Sequence, residues 1–93
     1  MRTYEFTCIF KIDEDSFLKG KELVKAQFEK HSIKVLKEED LGVKQLAYEI
    51  KKETKGHYYY YELEASPETI EAMEREYRLS NTFLKYLFVK KEK

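Results

Sequence analysis

A chain of 93 residues suits one domain with one modest core. Charged residues make up 39% and aromatics 15%, which excludes a membrane-embedded chain on the first count and a disordered one on the second. Basic and acidic residues balance at 18 each, so bulk charge does not announce a nucleic-acid binder, and the single Cys8 has no internal disulfide partner. No apolar run is long enough to span a bilayer, and no apolar signal segment follows Met1-Arg2-Thr3. A reducing cytoplasm is the expected setting.

Met1 to Ile12 reads as a strand of period two. Tyr4, Phe6, Cys8, Phe10 and Ile12 form the core-facing set, and Ile9 falls on the opposite face. Asp13-Glu14-Asp15-Ser16 opens a helix that ends near His31-Ser32, its acids suited to the positive end of the helix dipole. Phe17, Val24, Phe28 and His31 share its buried stripe, and Gly20 allows close packing on a sheet.

Ile33 to Ile50 is the first arm of a long ribbon. Glu38-Glu39-Asp40 interrupts it as a solvated turn, and Gly42 marks a bulge or bend. The ribbon is expected to turn at Glu53-Thr54-Lys55-Gly56, where Gly56 supplies a permissive backbone. His57 to Ala65 is the second arm, and its tyrosines Tyr58 to Tyr61 must divide between both faces.

Ser66-Pro67-Glu68 is a helix start with a capping serine and proline at the first helical position. Ile70, Met73 and Tyr77 form the buried stripe, with Glu71, Glu74 and Arg75 solvated, and Asn81 marks the exit. Thr82 to Lys91 is the last strand, in which Tyr86 and Phe88 alternate with Leu87 and Val89.

The order β-α-β-β-α-β predicts one α+β domain over residues 1–93: a ferredoxin-like plait, with a four-stranded antiparallel sheet and two helices on one face. Six basic residues meet eight acidic ones from Asp13 to Asp40, and two meet six from Glu62 to Leu79. The helices are therefore expected to carry the negative charge and the strands and tail the positive charge.

Signals for catalysis are weak. Cys8 lies on the core-facing set, His31 and His57 are isolated, and no glycine-rich phosphate loop is present. The expectation is no enzyme, no catalytic residue, no metal, no cofactor and no small-molecule substrate. Lys55-Gly56-His57-Tyr58-Tyr59 is weakly similar to the lysine-glycine-aromatic strand of RNA-recognition motifs, with His57 and Tyr58 departing from it. An alternative function follows: a single-strand RNA-binding module using Tyr59, Tyr61 and the open sheet. A small enzyme or ligand-binding plait is a further alternative, which a polar pocket would favour.

Four segments recur together: Met1-Arg2-Thr3-Tyr4-Glu5, Leu41 to Ile50, Gly56-His57-Tyr58, and Arg78 to Tyr86. In this order they resemble the bacterial small-subunit ribosomal protein six family over essentially the whole chain. Leucine-glycine-x-basic-x-leucine-alanine-tyrosine, here Leu41 to Tyr48, is the most specific motif. The resemblance implies a ribosome-bound structural protein of the platform. It implies pairing with ribosomal protein eighteen and binding of the central domain of small-subunit ribosomal RNA. Carried over by position, it assigns RNA contact to Arg2, Tyr4, Lys44, Asn81, Lys85 and Lys90. Gln45 stands where a second basic residue is usual and Glu49 where proline is usual. The basic residue usual in the last strand is a lysine, so bidentate phosphate contact is lost. The chain also lacks the long tail of some relatives, which bears on any partner contact such a tail makes.

Overall fold

The computed structural model describes residues 2–79 and 83–91. The elements are β1 (Arg2–Phe10), α1 (Glu14–Lys30), β2 (Lys34–Ile50), β3 (Glu53–Ala65), α2 (Pro67–Arg78) and β4 (Phe83–Lys90). The strands form one antiparallel sheet in the order β2-β3-β1-β4, which is the expected ferredoxin-like plait.

Alternation in β1 sets the two faces of the sheet. Tyr4, Phe6, Cys8 and Phe10 point into the main core with Tyr59, Tyr61, Leu63 and Ala65 of β3. Val24 and Phe28 of α1 and Ile70, Met73 and Tyr77 of α2 close that core from one side. β1 ends at Phe10, and Ile12, expected inside, is 45% exposed beyond the strand. The polar run Asp13 to Asp15 draws the chain into α1 there. Asp13 caps the helix, its Oδ2 accepting from the Ser16 amide at 3.0 Å. Ser66 caps α2 in the same way, accepting from the Thr69 amide at 3.2 Å, with Pro67 at its start.

The ribbon turns at a different place from the expected one. Lys51 and Lys52 form the turn with φ of 48° and 66°, a left-handed pair matching the tight hairpin class. Gly56 lies inside β3, where the chain needs the absence of a side chain. A Cβ there would lie 2.4 Å from Ile9 Cγ2 and 3.2 Å from Leu46 Cδ2. The distal ribbon is thus folded down on the open face of the sheet. Ile9, Leu46 and Leu84 make a second buried cluster there, with Ile50 and Tyr58 against it.

Glu38, Glu39 and Asp40 do not form a turn; they lie in β2 opposite Tyr61, Tyr60 and Tyr59. Register shifts at Val35/Lys37 and Asp40/Gly42 bend the strand around them, and Gly42 has φ of 83°. Their position also changes the charge distribution. α1 itself holds four acids and four bases, so the expected contrast between acidic helices and a basic sheet does not hold by element. Much of the negative charge counted with the helices belongs to β2 and to Glu62 and Glu64 of β3.

Candidate nucleic-acid interface

The face of the sheet opposite the helices carries the side chains available to a large partner. Its rows follow from the register. Glu5 stands beside Glu62 and Val89, Thr7 beside Tyr60 and Leu87, and Ile9 beside Tyr58 and Lys85. On β2, Gly42 and Lys44 lie opposite Tyr58 and Gly56.

The tyrosine run divides as alternation requires. Tyr59 and Tyr61 are 5% and 4% exposed in the main core, and Tyr58 and Tyr60 face the open side. This removes the alternative in which Tyr59 and Tyr61 stack on unpaired bases, because their faces are already covered by Phe10, Phe6 and Phe28. Burial pushes the Tyr61 phenol well above its ordinary range, and burial does the same to Tyr59, reinforced by its bond to Glu38.

The six residues assigned by resemblance do not form one cluster. Arg2 begins β1 and Lys90 ends β4, both exposed at one end of the sheet. Lys44 and Lys85 lie at the other end, level with Ile9. Ile9 lies seven positions along the strand from Arg2, about 23 Å at the usual rise. Tyr4 is a correction: it is 7% exposed and packs in the main core between β3 and β4, so it belongs to the packing. Asn81 lies outside the described residues.

The two ends differ in electrostatics. Toward Arg2 two lysines meet carboxylates, while Arg2 and Lys90 themselves take part in no ion pair among the described residues. Lys91 Nζ is 3.1 Å from Glu62 Oε1, and Lys37 Nζ is 3.9 Å from Glu39 Oε2. Lys91 and the Tyr60 hydroxyl both donate to Glu62 and hold its carboxyl below the usual range. Toward the hairpin turn, Lys44, Lys51, Lys52, Lys55 and Lys85 take part in no ion pair among the described residues. Three of them, Lys44, Lys51 and Lys85, are held by neutral groups. Lys44 Nζ is 5.5 Å from the Tyr58 ring centroid. Lys85 Nζ donates to the Tyr48 hydroxyl at 3.2 Å and is 5.7 Å from that ring centroid. Lys51 Nζ donates to the Phe83 carbonyl at 3.0 Å. A cation held without a counter-charge keeps its attraction for phosphate.

Lys51, Lys52 and Lys55 were absent from the expected set because that set was carried over by position from the family motifs, which do not include them. The signal that marks them is the lysine density between Ile50 and Gly56. The histidines are used structurally. His57 Nε2 lies 2.6 Å from Asp40 Oδ1, and its ring stacks on Phe17 at 3.9 Å, which ties α1 to the ribbon. The bond from His57, with the Gly42 amide, holds the Asp40 carboxyl below its usual range. His31 Nε2 lies 3.6 Å from Glu76 Oε1, beside Lys30 at 3.0 Å. Cys8 is fully buried, and burial pushes its thiol up, the opposite of what a nucleophile requires. Among the described residues no three His, Cys, Asp or Glu side chains are grouped to hold a metal ion, and no helix is long and apolar enough to cross a membrane.

The chain and its fold have counterparts among known proteins. The family model described as Ribosomal protein S6 matches residues 3–90. The chain is 35% identical over 92 residues to small ribosomal subunit protein bS6 of Treponema denticola, covering 99% of each chain. It is 32% identical over 90 residues to the protein of the same name from Treponema pallidum, covering 97% of each. A crystal structure of 30S ribosomal protein S6 from Thermotoga maritima superposes with a TM-score of 0.85 at 26% identity, over 97% of this chain and 87% of that one. The chain therefore belongs to the ribosomal protein S6 family, non-enzymatic components of the small ribosomal subunit.

Proposed function

We propose that the chain binds the central domain of small-subunit ribosomal RNA together with ribosomal protein eighteen during assembly of the platform, in the cytoplasm. The observation that carries this reading is the set of lysines around the hairpin turn, exposed and without carboxylate partners, in a chain of this family. Lys44 and Lys85 supply phosphate contacts at that end, and Arg2 and Lys90 supply them at the other. Asn81 keeps the contact role that its position in the family motif gives it, and Tyr4 supports its strand from the core.

Zero net charge favours joint binding over binding alone. A few phosphate contacts give weak affinity that salt erodes steeply. A cationic protein neighbour adds the missing field. Exposed apolar side chains support such a neighbour: Leu18 and Val35 line an open groove of about 640 Å³ between α1 and β2, and Leu87 and Val89 lie exposed on β4.

An affinity-tagged chain expressed in bacteria is expected to sediment with small ribosomal subunits on a sucrose gradient at low salt. A chain that remains at the top of the gradient, with no tag signal in the small-subunit peak, contradicts the reading.

A further inference from the structure

The hairpin turn is an unusual place for two lysines. A tight turn with left-handed backbone at both central residues favours Asn-Gly, because glycine has no Cβ to clash and asparagine offsets the strain through local hydrogen bonds, whereas lysine does neither. Here Lys51 and Lys52 take those positions with φ of 48° and 66°. The turn is also fixed in space. Ile50 packs on the cluster of Ile9, Leu46 and Leu84, Lys85 reaches Tyr48, and Lys51 reaches the Phe83 carbonyl. The result is a pre-positioned group of cations in which Glu49 and Glu53 are the only carboxylates of the segment from Lys44 to Lys55.

We propose that this turn is a binding site for the RNA sugar-phosphate backbone, in which Lys51, Lys52 and Lys55 extend the contact made by Lys44 and Lys85. The inference rests on the ribosomal RNA-binding reading above and names residues that the family motif does not point to. One hydrogen bond to Phe83 uses one of the three donors of the Lys51 ammonium, which leaves two for phosphate oxygens. The contact recognises backbone and shape, since lysine is a point charge without the planar fork that reads base edges or grips a phosphate bidentately. An acidic protein surface is the competing occupant.

The test uses the double variant Lys51→Asn/Lys52→Gly, which removes both charges while supplying the residues that such a turn prefers. Its melting temperature is expected to be no lower than that of the parent, so a loss of binding is not a loss of fold. Binding to a central-domain ribosomal RNA fragment is measured across a salt series, with ribosomal protein eighteen present. The slope of log affinity against log salt is expected to become shallower by about 1.5, since each phosphate contact contributes roughly 0.7 to 0.9. Lys19→Ala, on the exposed side of α1 and outside the groove between α1 and β2, is expected to leave the slope unchanged. A turn variant with the parental slope, or an α1 control that loses as much, overturns the site. A turn variant that keeps the RNA slope but leaves the small subunit assigns the turn to a protein neighbour and also overturns it. Failure of the parent chain itself to bind the RNA is a separate result, which removes the underlying reading.

Discussion

Phe6→Ala is expected to destabilise the domain by about 4 kcal/mol. Phe6 is fully buried at the centre of the middle strand. Its ring stacks on Phe88 at 4.1 Å, on Tyr77 at 5.6 Å and on Tyr61 at 5.9 Å, and meets the Phe28 edge at 6.3 Å. These four rings come from β4, α2, β3 and α1, so the hole left by truncation borders both helices and both neighbouring strands. Rigid aromatic neighbours close such a hole poorly, which places the cost toward the upper part of the usual range. Domains of this size are typically stable by only about 5 to 15 kcal/mol. Chemical denaturation followed by circular dichroism, with slope compared to check two-state behaviour, gives the value. A loss under about 1 kcal/mol removes Phe6 as the keystone of the core.

The second large effect comes from adding a single methyl group. Gly56→Ala is expected to cost about 2 to 3 kcal/mol, at the upper end of what overpacking does. The nearest obstacle is Ile9 Cγ2 at 2.4 Å, on the branched carbon next to the strand backbone, where no rotation of a distant torsion clears it. Leu46 Cδ2 at 3.2 Å and Leu84 Cδ1 at 3.6 Å block sideways relief. The strand must lift instead, and with it the distal ribbon that carries Lys44 and the turn. Ile9→Ala opens the space, so the double variant Ile9→Ala/Gly56→Ala is expected to be more stable than the sum of the two single losses allows. Additive losses, or a Gly56→Ala protein as stable as the parent, contradict the close approach of β3 to Ile9.

These two residues mark what was legible in the sequence. Phe6 belongs to an uninterrupted period-two pattern, and such patterns report burial through local geometry alone. The same holds for the capped start of α2 and for its stripe Ile70, Met73 and Tyr77. Gly56 was read through local propensity as a turn residue, when its role is set by a residue 47 positions earlier in the chain. Propensity also hid the real turn, because lysine is a poor choice for left-handed backbone and nothing local announces Lys51-Lys52. Glu38 to Asp40 misled for a related reason. A run of acids reads as solvated turn until its partners are known, and here those partners are the Tyr59 hydroxyl and the His57 ring on the next strand.

The candidate site was legible to the same degree. The family motif singled out Lys44 and Lys85, and the structure places both at one end of the sheet, Lys44 against Tyr58 and Lys85 against Tyr48. It also gave Tyr4 a surface role that core-facing alternation in β1 already opposed. Charge counted along the chain was less informative than charge counted by partner. Acids and bases are even on α1, and what distinguishes the turn is that four lysines fall within the twelve residues from Lys44 to Lys55 against two carboxylates, with no ion pair among them in the described residues.

Cooperative RNA binding is tested most directly by titrating a labelled central-domain ribosomal RNA fragment with the purified chain, alone and with ribosomal protein eighteen at saturation. Weak binding alone and a gain on the order of 100-fold with the second protein is the expected result, within the range of coupling between sites on a shared assembly. Tight binding by the isolated chain that the second protein leaves unchanged is the result that contradicts it.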